Sequence, residues 1–316
     1  MVQISKLFMK QAMMRKVLIS LLPILLFSVY LFGWRVLTLL AVVQITGLLS
    51  DYGIMFLING KSARISEAVL VTGLLFTLTL PPAVPYWAAV IGIVFSVVFG
   101  KGVFGGFGRN IFNPALVGRC FIYVSFPAFM TMGWRTPFTG LPGGFARWQQ
   151  DVVASATPIA QLGQAAADIG YGTVFFGQIA GSLGETSALL IILAAVYLIL
   201  TRTASWKLMV STLVSAGILS TALYLAGTIN ADPLQSLLSG GLLFAAVFMV
   251  TDPVSAPTPD KAKIIYGVLV GAVAVVIRTF SLFAEGIMFA ILIVNTFVPL
   301  IERQLKSWQN RKKVSA

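Results

Sequence analysis

The chain of 316 residues contains no histidine and a single cysteine, Cys120. Without histidine it lacks the usual haem ligands and the commonest acid–base group near neutral pH. One cysteine excludes a disulfide framework and any cluster held by thiolates of this chain alone. Charge is scarce too: 10% of residues are charged against 58% hydrophobic, and the mean hydropathy is +0.93. Soluble domains carry about 25% charged residues, so this chain could not cover its surface in water. Lipid is the solvent that suits it, and lipid demands that every backbone N–H and C=O find an internal partner. Only helices and closed barrels achieve that. The apolar runs are continuous rather than alternating, which predicts an all-α membrane protein.

Ten apolar segments are present, at about 17–33, 36–58, 66–81, 84–100, 111–130, 187–201, 206–226, 236–251, 264–280 and 283–301. The first follows Lys6, Lys10, Arg15 and Lys16 and lacks a small-residue cleavage site, so it reads as a retained span. Several are shorter than the ~20 residues of a perpendicular span. Prolines bound them at Pro81-Pro82, Asn113-Pro114 and Asp252-Pro253, which predicts broken helices lining a cavity.

The net charge of +12 does not point to nucleic acid, because the basic residues punctuate the gaps between apolar runs. With the N-terminus inside and the segments alternating, only Arg35, Arg119, Arg135, Arg147 and Arg278 fall in spans or outside loops. The positive-inside rule is then obeyed throughout, giving ten spans with both termini cytoplasmic. Residues 131–186 form the one long connection and lie outside. They divide the chain into five-span halves, 1–130 and 187–316, which must run in opposite senses. If the halves share a fold they are an inverted repeat, with any site where they meet near the midplane.

Two stretches stand out. Gly100-Lys101-Gly102-Val103-Phe104-Gly105-Gly106-Phe107-Gly108-Arg109-Asn110-Ile111-Phe112-Asn113-Pro114-Ala115 is glycine-rich, which allows close backbone approach. If a helix begins there, Asn110 and Asn113 share a face. Their carboxamides could read a heteroaromatic ring such as an isoalloxazine, or help hold a dehydrated cation; an ordinary glycine turn with an asparagine cap fits equally. Thr251-Asp252-Pro253-Val254-Ser255-Ala256-Pro257 places a carboxylate at the end of a buried span, costly unless paired or hydrated, or else simply at the interface. Asp51 and Glu67 are further acids on the inner side: a cation access vestibule, or ordinary interfacial acids. By composition Thr157-Pro158 is only a turn or helix start.

Together these stretches resemble the flavin-carrying membrane subunit shared by two bacterial redox pumps. These are the Na+-translocating NADH:quinone oxidoreductase (where it is NqrB) and the Rnf ferredoxin:NAD+ oxidoreductase (where it is RnfD). The likeness runs from about Glu67 to Pro299. It includes Leu80-Pro81-Pro82, the Gly105–Ala115 stretch, Gly184-Glu185, Ala204-Ser205-Trp206, Thr251–Ala256, Tyr266-Gly267 and Ile277-Arg278.

The resemblance implies FMN joined by a phosphoester to Thr157, in a motif like Asp-Gly-x-Ser-Gly-Ala-Thr. Asp151, Ala156 and Thr157 match; Val152, Ala154 and Ser155 replace Gly, Ser and Gly, with Ser155 one position from the family's serine. It also implies a non-covalent riboflavin held by Asn110, Asn113 and Asp252, electron relay coupled to Na+ or H+ movement, and a bacterial or archaeal inner membrane. The implied partners are the other Rnf or Nqr subunits, including a second threonine-flavin subunit, and a flavin transferase. The chain lacks the long N-terminal extension typical of NqrB, which favours the Rnf type and leaves a quinone site of that region unsupported. The Gly108–Asn113 and Ala204-Ser205-Trp206 stretches read closer to NqrB. A flavin-free channel or secondary transporter of related fold is the alternative, since function lives in the site rather than the fold; a structural scaffold for redox neighbours is a third.

Overall fold

The computed structural model describes residues 8–138, 140–149, 170–177, 179–239, 241–281 and 286–314. Among these, a helix occupies each of the ten apolar segments. They are α1 (Ala12–Phe32), α2 (Arg35–Asn59), α3 (Ala68–Leu78), α4 (Tyr86–Gly100), α5 (Pro114–Ser125), α6 (Ala188–Leu200), α7 (Trp206–Leu225), α8 (Gly241–Phe248), α9 (Asp260–Phe280) and α10 (Gly286–Val314). Six are long and apolar enough to cross a membrane: α1, α2, α7, α9, α10, and α4 with the turn Gly102–Phe104 that continues it. The others are short, with 11, 12, 13 and 8 residues in α3, α5, α6 and α8. The protein is thus an all-α, multi-pass membrane protein. The only strands among the described residues are β1 (Phe8–Met9) and β2 (Ile65–Ser66), paired in parallel, and they tie the start of α1 to the start of α3.

Local sequence sets the helix ends. Asn113 caps α5 by accepting from Ala115 N–H at 3.1 Å, and Pro114 takes the first helical position, where an N–H would have no partner. Ser187 caps α6, accepting from Leu190 N–H at 3.4 Å. The eighth segment, expected as one stretch over 236–251, divides into Pro233–Leu238 and α8. Asp232-Pro233 starts a separate turn of helix there, with Asp232 accepting from Gln235 N–H at 2.9 Å, and Ser239 breaks it with extended backbone.

Two sets of helices result. In the first, α2 packs on α3 and α4, and α4 on α5; in the second, α7 packs on α9 and α9 on α10; α1 and α6 pack on each other. Without a hydrophobic drive between helices in lipid, close packing depends on small residues at the contact. Gly118 of α5 lies so near α4 that a Cβ there would stand 2.6 Å from the Gly92 carbonyl oxygen. Gly271 of α9 meets α7 in the same way, 2.3 Å from the Thr212 carbonyl oxygen. The sets share a second device. The Gln11 side chain, ahead of α1, accepts from Ala68 N–H at the start of α3 at 3.0 Å. Glu185, ahead of α6, lies over Gly241 at the start of α8, its Oε1 2.7 Å from where a Cβ would be.

Candidate functional site

The glycine-rich stretch is a loop between α4 and α5, not the start of a helix. Gly105, Gly106 and Gly108 all have φ between 86° and 99°, the left-handed region that side chains with a Cβ disfavour. Those turns fold the loop back, with Gly106 N–H bonding the Lys101 carbonyl at 3.2 Å. Asn110 and Asn113 therefore do not share a helix face. Asn110 lies in the loop and donates from Nδ2 to the Phe112 carbonyl at 2.9 Å, while Asn113 is the cap of α5. Both are buried. The cap uses only the Asn113 oxygen, and among the described residues nothing accepts from its Nδ2.

A second break follows α8. Thr251 Oγ1 closes the helix on the Val247 carbonyl at 2.6 Å. Asp252-Pro253 then makes a tight turn in which Asp252 accepts from Ser255 Oγ at 2.8 Å and Val254 N–H at 3.3 Å. A carboxylate with these two donors keeps lone pairs for a ligand.

The fold brings the two breaks together. Asn110, Asn113 and Asp252 line one cavity of about 60 Å3, with walls from α1 (Met13, Val17), α3 (Val71, Thr72) and the turn at Thr203-Ala204. A wider cavity of about 390 Å3 adjoins it and shares Thr203, Ala204, Thr251, Asp252 and Pro253. Small-molecule sites occupy roughly 300–1,000 Å3, so the wider cavity has room for a ring system and the narrower one takes several waters. The donor set suits the polar edge of a flavin ring: amide donors and acceptors beside a carboxylate, with Lys101 and three threonines among mostly apolar walls. By chemistry the residues fit that group; Asp252 lines both cavities, and Asn110 and Asn113 line the narrower one.

The inner acids are engaged elsewhere. Glu67 receives Arg15 Nη2 at 2.5 Å and Gln11 N–H at 2.6 Å. Asp51 is fully buried and receives Lys101 Nζ at 2.6 Å. Neither stands as a free carboxylate, so a vestibule formed by the two has no support in their contacts. Asp151, Ser155, Ala156 and Thr157, the expected FMN attachment motif, lie outside the described residues.

Lys101 is legible in the sequence only as one of the inner-side charges. A lysine between two glycines is the single local hint, because its partners sit 50 and 35 residues away. A second buried pair escapes in the same way. Arg119 of α5 reaches Glu185 at 3.1 Å, with side chains 2% and 3% exposed, and joins the two sets of helices. Removing one partner of such a pair costs about 3–5 kcal/mol, because the other charge stays buried.

A bundle of long and short apolar helices with a cavity between two breaks defines a class: a multi-pass α-helical membrane protein with an internal cavity. Comparison with known sequences narrows it. The chain belongs to the NQR2, RnfD, RnfE family, whose pattern matches residues 3–309. It is 34% identical over 315 residues to the D component of the ion-translocating oxidoreductase complex of Stutzerimonas stutzeri, covering 92% of this chain and 89% of that one. It is 39% identical over 253 residues to the B component of the Na(+)-translocating NADH-quinone reductase of Pseudomonas paraeruginosa, covering 76% of this chain. The corresponding component from Azotobacter vinelandii is 37% identical over 268 residues, covering 79% of this chain. The chain spans 60% and 65% of the length of these two reductase components.

Proposed function

We propose that the protein is the membrane subunit of a redox-driven ion pump of Rnf or Nqr type, holding riboflavin between Asn110, Asn113 and Asp252 and carrying FMN on Thr157. The observation that carries the proposal is the convergence of those three polar side chains, from two separate helix breaks, on one cavity whose remaining walls are mostly apolar. Asp252 stands 139 positions from Asn113 and 142 from Asn110 (252 less 113, and 252 less 110), so only the tertiary fold can bring them together. The family's relatives are named as components of ion-translocating oxidoreductase complexes, which is the setting in which such a site would serve.

A bound flavin would supply one- and two-electron carriage, and the protein would set its position and surroundings. Asn110 and Asn113 would hold the polar edge of the ring through their carboxamides. Asp252, fixed by Ser255 and Val254 N–H, would accept a ring N–H. The apolar walls from α1 and α3 would exclude water. Coupling to Na+ or H+ and assembly with the other subunits of the complex belong to the same proposal.

We also read the two helix sets as an inverted repeat with both termini cytoplasmic. The supports are the matching neighbours (second on fourth, fourth on fifth), the packing of α1 on α6, the paired side chains at the starts of α3 and α8, and the distribution of basic residues.

The test uses the complex purified from its native host. Acid extraction of the wild type should release riboflavin, and Asn110→Ala or Asp252→Ala should remove most of it. A wild-type complex that releases none would refute the riboflavin site and favour the flavin-free transporter. Separately, the denatured subunit should give a fluorescent band on a gel that Thr157→Ala abolishes; a band that persists in Thr157→Ala would place the FMN elsewhere.

A further inference from the structure

Of the described residues lining the narrower cavity, Lys101 is the only cation and Asp252 the only anion. Lys101 is 3% exposed, and its ammonium donates to Asp51 Oδ1 at 2.6 Å and to Ser66 Oγ at 2.5 Å. Asp51 also accepts from Ser66 N–H at 3.2 Å through its other oxygen. The three groups close on one another and join three pieces of chain: α2, β2 and the root of the glycine loop. A buried ion pair is weak evidence for stability, because desolvation offsets much of the attraction. Such a pair on the wall of a ligand cavity has a second consequence, since charge acts strongly where the dielectric is low.

We infer that Lys101, clamped by Asp51 and Ser66, is a positioning and potential-setting residue of this cavity: it anchors the loop that carries Asn110 and places a positive charge beside the bound redox group. This rests on the flavin reading above. A group that gains an electron is stabilised by a nearby ammonium and destabilised by a nearby carboxylate. Lys101 and Asp51 should therefore act on the potential with opposite signs, whereas a purely structural clamp would not separate them.

The experiment compares Lys101→Met, Lys101→Arg, Asp51→Asn and the double variant Asp51→Asn/Lys101→Met in the purified complex, by spectroelectrochemical titration of the non-covalent flavin. The midpoint potential should fall in Lys101→Met, rise in Asp51→Asn, and stay near wild type in Lys101→Arg. Shifts of the same sign in Lys101→Met and Asp51→Asn, or none in either, would overturn the electrostatic role. The clamp is read independently of any flavin from the thermal unfolding midpoint of the complex. Lys101→Met leaves a buried carboxylate alone and Asp51→Asn a buried ammonium, so the double variant should lose less than the two single losses added. Strict additivity would overturn the clamp. Absence of riboflavin from the wild type would sink the flavin reading and, with it, the potential-setting role, while the unfolding measurement would still decide the clamp.

Discussion

Asn113 has two tasks that a single truncation would confuse. Its carboxamide oxygen caps α5, and its Nδ2 is available to the cavity. Asn113→Ala removes both, and loss of the cap alone costs about 1 kcal/mol. Asn113→Ser retains a capping oxygen but withdraws the amide donor. The expected result is a thermal midpoint near wild type for Asn113→Ser and a lower one for Asn113→Ala, with riboflavin content reduced in both. Full riboflavin in Asn113→Ser would show that the cap is the only task of this residue. At this scale the polar residues of the site are legible in the sequence, because Asn110, Asn113 and Asp252 interrupt apolar stretches beside prolines and glycines. Their companions are not. Lys101 finds Asp51, and Arg119 finds Glu185, through contacts that span 50 and 66 residues, and no local pattern encodes such a pairing.

For the helices, apolar runs locate all ten elements, since burial in lipid is written into composition. Where a run is broken is harder to see. The division at Ser239 follows from Asp232-Pro233 starting its own helical turn, and apolar content continues across it unchanged. The asparagine spacing allows a helix start near Asn110, yet three left-handed glycines turn the chain first and delay α5 to Pro114. Glycines inside helices, meanwhile, differ in what surrounds them. A Cβ at Gly118 would press on the Gly92 carbonyl at 2.6 Å, whereas one at Gly53 in α2 would meet nothing within 4 Å. Gly118→Ala should therefore lower the unfolding midpoint of the purified protein, by an amount in keeping with about 1–3 kcal/mol of overpacking. Gly53→Ala should leave it unchanged or raise it, since alanine is favoured over glycine in a helix interior by about 1 kcal/mol. Equal effects from the two substitutions would mean that the α4–α5 contact is looser than its geometry indicates.

Over the whole molecule the question is orientation, which the charge distribution addresses and helix packing alone does not. If five helices precede the long connection and five follow it, the short linkers on the inner side carry the lysines and arginines, and the outer linkers carry almost none. The 59–66 link between α2 and α3 should then face the cytoplasm, and the 226–232 link after α7 should face outward. Cys120 is the only native thiol, so a Cys120→Ser background permits a direct test with single cysteines at two exposed positions, Ser62→Cys and Asn230→Cys. In intact cells stripped of an outer barrier, a membrane-impermeant maleimide should label Asn230→Cys and spare Ser62→Cys until the membrane is opened. The reverse pattern would invert the whole topology, and labelling of both from outside would break the alternation on which the inverted halves depend. The outcome also bears on the site. The cavity lies beside the glycine loop and the Asp252 turn, at the ends of α4 and α8 that the same alternation assigns to the inner side. A cytoplasmic position for Ser62 would therefore put the proposed riboflavin towards the inner face and the Thr157 connection on the opposite one, leaving the bundle itself as the span that electrons and ions have to cross.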